Sequence, residues 1–401
     1  MPRLTPIALI AGLFAPLGVL APKGMWLLFL VPALWQSVLA WRGGELGTAF
    51  RGPLAWLALA ASAWALGSAG WALSPWPALA VAASLALGFA GLLILLAAAR
   101  SLDETDKRMV ERALVLGFAV AAGLLAVDLA AGGAGLRLAH GLLREDEPFR
   151  HTLFNRRITV LSLAAWPAML VLWGRGKRLM ALACPLLVLL LAFAGYSLSA
   201  RLAAVAALAG FALALVLPRA TRVLLAGGVA AFALLMPLLA QGPLKPERYE
   251  TSLGGRAYSA LHRLHIWRFS AERIAERPLA GWGMDASRRM PGGDQALPRG
   301  GNLMNLHPHN GSLQVWLELG GIGALLLAGL VGLAAFAGRM IDDRVGQAAA
   351  LAAFVNGFAV LNLSYGIWQR WWLATLLLAA VLLATFATRR SAESGRDPVR
   401  L

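Results

Sequence analysis

Long apolar runs separated by short polar joints make up most of the chain, and one polar stretch, residues 241–310, interrupts that rhythm. An α-helix needs roughly 20 mostly apolar residues to cross a bilayer, and the strict alternation of a β-barrel is absent. The pattern predicts about twelve spanning helices, near 5–21, 25–40, 53–70, 77–99, 111–131, 157–173, 179–196, 201–217, 222–240, 311–337, 346–363 and 370–387. Arg3 and the apolar run over 7–20 have the outline of a signal peptide, but no small-x-small cleavage site follows, so the run reads as the first span. The expected fold is an all-α integral membrane protein with one large loop that contains helices of its own. Residues 1–240 carry spans one to nine, 241–310 form the loop, 311–387 carry spans ten to twelve, and 388–401 form a polar tail expected to lack fixed structure.

Composition supports the membrane reading. Hydrophobic residues make up 59% of the chain and charged residues 14%, against about 25% charged in a soluble domain. The net charge of +16 raises the question of nucleic acid. The Arg and Lys residues, however, sit in the joints between spans, where they report topology and lipid headgroups instead. The single cysteine, Cys184, lies inside a span, which rules out a disulfide framework.

The distribution of those cations predicts an orientation. With both termini in the cytoplasm, every short inside joint is basic: Arg42 and Arg51, Arg100 to Arg112, Arg175 to Arg178, Arg219 and Arg222, Arg339 and Arg344. The short outside joints carry almost no charge. Two longer outside loops, 132–156 and 241–310, are basic as well, and the positive-inside rule is weak for long segments. Their cations need another explanation.

In this orientation four features meet on the outer side: Phe154 to Arg157, Tyr196 to Arg201, the loop segments around Arg263 and Trp282, and His307-Pro308-His309-Asn310-Gly311 at the tenth span. Arginines at a membrane edge suit a diphosphate, because the planar guanidinium binds phosphate oxygens in pairs and stays charged. A histidine beside them can take a proton from an attacking hydroxyl near neutral pH. Together such groups would support glycosyl transfer from a lipid-linked diphosphate sugar.

Arg263-x-x-x-Trp267, Pro278-Leu279-x-Gly281-x-Gly283 and His309-Asn310-x-x-Leu313-Gln314-x-x-x-Glu318-x-Gly320-x-x-Gly323 resemble the O-antigen ligase/polymerase superfamily. Ser199-Ala200-Arg201 matches a further motif of that family loosely, and the resemblance covers roughly residues 197–325. It implies a GT-C-like helical fold in the bacterial inner membrane and an active site facing the periplasm. The implied reaction is metal-free, inverting and without a cofactor. The implied partners are an undecaprenyl-diphosphate-linked glycan as donor, a lipid A–core sugar as acceptor and membrane lipids, with no nucleic acid. By the same resemblance His309 is the base or the group orienting the acceptor, and Arg263 and Arg201 clamp the diphosphate. His307, Asn310, Arg156, Arg157, Trp267 and Arg370 are expected to bind substrate.

Each of these residues also has a plainer reading. Asn310 suits a helix N-cap, and Arg201 suits snorkelling to the interface. Arg156 and Arg157 suit the flank of a span, and Arg370 suits an aromatic belt. Ile266, Phe269 and Ile274 give the helix carrying Arg263 an apolar face that could lie on the membrane surface. Gly320-Gly321-Ile322-Gly323 suits close helix packing. Asp128, inside the fifth span, is a functional candidate by default or a hydrated residue near the span end. A polymerase or a protein O-oligosaccharyltransferase of the same superfamily remains an alternative, with a polysaccharide transporter less favoured because internal repeats are absent.

Overall fold

The computed structural model describes residues 5–135, 153–195, 197–253, 258–297, 300–304 and 306–386. The 388–401 tail, Tyr196, Arg256, Arg299 and most of the 132–156 loop lie outside the described residues. The described chain is helical, with one isolated bridge between Ala296 and Asn302. The helices are α1 (Pro6–Leu20), α2 (Met25–Arg42), α3 (Pro53–Gly67), α4 (Pro75–Ser101), α5 (Glu104–Ala130), α6 (Leu153–Gly174) and α7 (Arg178–Ala194). They continue with α8 (Leu198–Val216), α9 (Pro218–Gln241), α10 (Tyr258–Glu276), α11 (Gly311–Ala337), α12 (Arg344–Leu363) and α13 (Arg370–Ala384).

Every expected span falls on a helix, and α10 is the main helix of the loop. Among the described residues nine helices are long and apolar enough to cross a membrane. The remaining three expected spans fall on α1, α7 and α13, which are 15, 17 and 15 residues long. Helix starts follow local chemistry. Thr5 accepts from the Ala8 amide at 3.2 Å ahead of Pro6, and Asp103 accepts from the Thr105 and Asp106 amides at 2.8 and 2.7 Å. These bonds satisfy first-turn amides that have no partner within the helix. The Asp103 cap starts α5 seven residues before the expected 111, because a charged first turn hides a helix start from a hydropathy reading.

Helix α6 is the centre of the bundle, buried along most of its length and packed by α1, α5, α7 and α12. Its first turn carries Arg156 and Arg157. The pairs α8–α12 and α1–α5 pack beside it. A second core joins the loop to the bundle, where Leu264, Ile266, Trp267, Phe269 and Ile274 of α10 pack with Met236 and Ala240 of α9 and Leu313 and Leu317 of α11. The apolar face of α10 therefore does not rest on a membrane surface. Ile266, Phe269 and Ile274 are 4, 6 and 4% exposed. At about 25 cal/mol per Å² of apolar area, burying such side chains fixes the loop helix against the bundle.

Candidate active site

The site is built around the turn that precedes α11. Asn310 caps that helix, its Oδ1 accepting from the Leu313 amide at 3.0 Å, while its buried Nδ2 has no partner among the described residues. His309 stands in the left-handed region at φ 56°, a conformation that costs a residue with a Cβ about 1–2 kcal/mol. Three contacts hold it there. Trp267 Nε1 donates to the Pro308 carbonyl at 2.9 Å, the His309 amide donates to His307 Nδ1 at 3.2 Å, and His309 Nδ1 lies 2.6 Å from the Ser364 carbonyl.

The last contact defines the tautomer. A carbonyl only accepts, so Nδ1 carries the hydrogen and the neutral ring keeps its lone pair on Nε2. His307, with its ring 4.3 Å from that of His309, is placed differently. Trp371 Nε1 donates to Gln369 Oε1 at 2.9 Å, which leaves the Gln369 amide nitrogen facing His307 Nε2 at 3.2 Å. His307 Nδ1 accepts from the His309 amide, so the hydrogen of the neutral ring sits on Nε2, beside the Gln369 side-chain amide. Burial, then the charges of His309, Arg288 and Arg263, push its pKa down to about 3. His309 is also lowered, chiefly by burial, with the Ser364 carbonyl opposing. Both rings are neutral, and only His309 offers a lone pair not already faced by a protein donor.

Around them stand Tyr365, Arg263 and Arg156. Thr159 and Tyr365 hydroxyls lie 3.5 Å apart, and Tyr365 stacks edge-on against Trp371 at 4.7 Å. Burial raises the Tyr365 pKa, and the charges of Arg156 and Arg263 oppose the rise. Arg263 lies one helical turn before Trp267 on α10 and has no hydrogen bond or ion pair among the described residues. Burial lowers its pKa, with Tyr365 opposing. Arg156 lies over the Trp371 ring at 5.5 Å. Arg157, 6% exposed, also lacks a hydrogen bond or ion pair among the described residues.

Two expected residues are placed elsewhere. Arg201 donates from Nε to the Ala192 carbonyl at 3.2 Å and from Nη2 to the Phe193 carbonyl at 2.7 Å. It closes the end of α7, so a diphosphate clamp at Arg201 lacks the free fork that the expectation assumed. Arg370 is exposed at the start of α13. Its neighbours do contribute: Gln369 and Trp371 hold His307, and Trp368 reaches α11. Ser199, beside Arg201, meets Ser364 at 3.4 Å, which ties the start of α8 to the turn that holds His309.

The loop is joined to α11 at Gly320, where φ 64° and ψ −164° break the helix. The Gly321 amide donates to the Pro278 carbonyl at 2.8 Å instead of backwards along the helix, and the Trp282 and Gly283 amides donate to the freed Leu317 and Glu318 carbonyls at 2.9 and 2.8 Å. Trp64 Nε1 takes the Leu319 carbonyl at 2.9 Å. A Cβ on Gly320 would come within 2.2 Å of the Leu279 carbonyl oxygen, and one on Gly281 within 2.6 Å of the Glu318 backbone. The glycine run of the tenth span thus serves a helix break and the Pro278–Gly283 turn rather than helix packing alone. Asp128 accepts from the Gly135 amide at 2.8 Å and closes the turn after α5.

Sequence reasoning missed Ser364, Tyr365, Gln369 and the role of Glu318. Glu318 carried a signal, since a carboxylate within a span is a functional candidate by default.

A bundle of apolar helices with a polar loop folded onto one end, carrying a histidine pair near Arg263 and Arg157, which form no ion pair among the described residues, has the form of a multi-pass membrane protein. The family model described as O-antigen ligase matches residues 183–328, from within α7 through the whole loop and into α11. Similar proteins include one of Rickettsia conorii named "Putative polysaccharide ligase", 29% identical over 298 residues, covering 72% of this chain and 69% of the relative. Its namesake in Rickettsia prowazekii is 29% identical over 68% of this chain and 67% of the relative. Another in Rickettsia felis is 31% identical over 61% of each. The chain is thus similar to the O-antigen ligase family over residues 183–328 and to proteins named as polysaccharide ligases over about two thirds of its length.

Proposed function

We propose that the protein transfers a glycan from undecaprenyl diphosphate to a sugar hydroxyl of lipid A–core, as a metal-independent inverting glycosyltransferase. In this reading it is a GT-C-like protein of the bacterial inner membrane, with the site facing the periplasm and both termini in the cytoplasm. The observation that carries the reading is the meeting of Arg263, Arg156, Tyr365 and His309 at one end of the bundle. His309 Nε2 takes the proton of the acceptor hydroxyl, and the oxygen attacks the anomeric carbon. The bond from that carbon to the diphosphate breaks with inversion, and the departing diphosphate keeps the electron pair. Arg263 and Arg156, with Arg157 behind them, stabilise its charge in a site of low dielectric, where preorganised charge contributes most. Asn310 Nδ2, unpartnered beside His309, suits a sugar oxygen.

The test is glycan attachment in a bacterial strain lacking its own ligase and supplied with a matching donor and lipid A–core. Wild type is compared with His309→Ala and Arg263→Ala at equal membrane abundance, with lipopolysaccharide resolved on a gel. Attachment by wild type and its loss in both variants is the expected result. Lengthening of lipid-linked glycan without attachment would replace the ligase reading with a polymerase. Normal attachment in both variants would remove the site from this end of the bundle.

A further inference from the structure

Glu318 is fully buried in α11, and four donors converge on its carboxylate. The Asp285 amide donates to Oε2 at 2.6 Å and Trp368 Nε1 to the same oxygen at 2.7 Å. Gln314 Nε2 donates to Oε1 at 3.0 Å, and the Ser287 hydroxyl donates to Oε1 as well. An ionised carboxylate accepts at about four lone-pair positions and donates nothing, so this environment fits the charged form. Of the four neighbours only the Ser287 hydroxyl could turn to accept from a protonated carboxyl; the three N–H groups can only donate.

The donors come from both sides of the histidine turn. Asp285 and Ser287 precede it in the loop, and Trp368 lies in the 364–369 turn between α12 and α13. Gln314 uses its remaining amide atom, Oε1, to accept from the Ile367 amide of that same turn at 3.0 Å. The 364–369 turn supplies what holds the histidines: the Ser364 carbonyl on His309 Nδ1, the Gln369 amide on His307, and Gly366, where a Cβ would come within 2.9 Å of the His307 ring.

We propose that Glu318 is a positioning residue for the reaction. Its ionised carboxylate fixes the Gln314 amide and the Trp368 indole, these fix the 364–369 turn, and the turn fixes the Nδ1–H tautomer that leaves His309 Nε2 free. The proposal rests on the reading of His309 as the base and supplies the element that orients it.

Glu318→Gln is the informative change. Its amide nitrogen faces two donors on either side. Next to Asp285 and Trp368 neither neighbour can accept. Next to Ser287 the hydroxyl can rotate to accept, but Gln314 must invert and release Ile367. The full-length protein in lipid nanodiscs is assayed with lipid-diphosphate-linked glycan and lipid A–core, and its histidines are labelled with nitrogen-15. The expected result is a fall in kcat of about tenfold or more, as for a misplaced catalytic group, with KM for the donor within about twofold of wild type. The His309 imidazole signal moves away from the Nδ1–H form while that of His262 stays in place.

Folded Glu318→Gln protein with wild-type kcat, or with reduced kcat and an unchanged His309 signal, overturns the proposal. Should Glu318→Gln not accumulate, Trp368→Phe decides. It removes one donor and keeps an aromatic ring, and about a three- to tenfold loss of kcat with a displaced His309 signal is expected. Unchanged values overturn the proposal there too. If wild type transfers no glycan, the proposed function fails, and the imidazole signals alone then decide the positioning role.

Discussion

The two ends of the helix bundle treat positive charge differently. Away from the histidines, some cations have partners and others simply face water: Arg175 pairs with Glu111 at 3.1 Å, Arg222 and Arg344 donate to Gln347 and to the Val216 carbonyl, and Arg42 and Arg108 are exposed. The same holds over much of the loop, where Arg268 pairs with Glu247 and Glu272, Arg273 with Glu276 and Arg288 with Asp285. Only a few residues away, Arg263 and Arg157 have no ion pair or hydrogen bond among the described residues. Removing a guanidinium from water without compensation costs on the order of several kcal/mol. Exposed arginines without an acid lose little by it, whereas sheltered ones without an ion pair fit the anionic ligand of the proposed function. The net charge of +16 is therefore less informative than the question of which arginines lack acids.

The sharpest way to break this contrast is to remove the base. His309→Ala should lower the rate of glycan transfer by about 10²–10⁴-fold, the usual range for a positioned general base, read as initial rates at equal protein. Next comes the contrast itself. Arg263→Ala should lower kcat/KM for the donor by about 10²-fold, and Arg263→Lys should recover little of it, because a point charge does not replace a planar fork. Arg268→Ala, at a paired and exposed position, should change the same quantity by less than about twofold. Equal losses at Arg263 and Arg268 would erase the distinction between the two sets.

The histidine environment predicts a pH dependence. Burial lowers the His309 pKa below its ordinary 6.5, so the ring stays neutral and able to accept a proton as pH falls through that value. The acid limb of the pH–rate profile should therefore have its midpoint below 6.5. The unfolded chain binds protons at the ordinary value, so the two histidines also make the fold less stable as pH falls below 6.5. An acid limb at or above 6.5 would contradict the sheltered, neutral ring. A smaller effect is expected from Trp267→Phe, which loses the bond to the Pro308 carbonyl. It should cost about 1 kcal/mol in thermal unfolding and reduce transfer a few-fold.

The spans and the site differed in how readable they were from sequence. Hydropathy located a helix for every expected span because burial in lipid and burial in the bundle demand the same apolar runs. The start of α11 at Gly311 was readable because Asn310 is a good N-cap and the polar loop ends there. Arg263, Trp267 and His309 were readable because they lie in recognisable motifs. Ser364, Tyr365 and Gln369 were not: they occupy a short turn between two apolar helices, and the bond from Ser364 to His309 joins positions 55 residues apart. The bonds of Arg201 to the Ala192 and Phe193 carbonyls were not readable, since an arginine near a helix start looks the same in sequence whether it faces a ligand or the carbonyls of the preceding helix. The glycine run around Gly320 was assigned to packing, because a sequence shows small size but not a positive φ.

The break at Gly320 also sets what can be exchanged between relatives. The Leu317 and Glu318 carbonyls take their hydrogen bonds from Trp282 and Gly283, and the Gly321 amide gives its own to Pro278. Helix and loop complete one another's backbones here, and backbone groups buried at such a junction need a partner. A chimera that grafts a foreign loop onto this span would leave those backbone groups stranded unless the graft kept the same turn. The heritable module is therefore the Pro278–Gly283 turn with the first half of α11, and recombination that separates them should yield protein that fails to accumulate in the membrane.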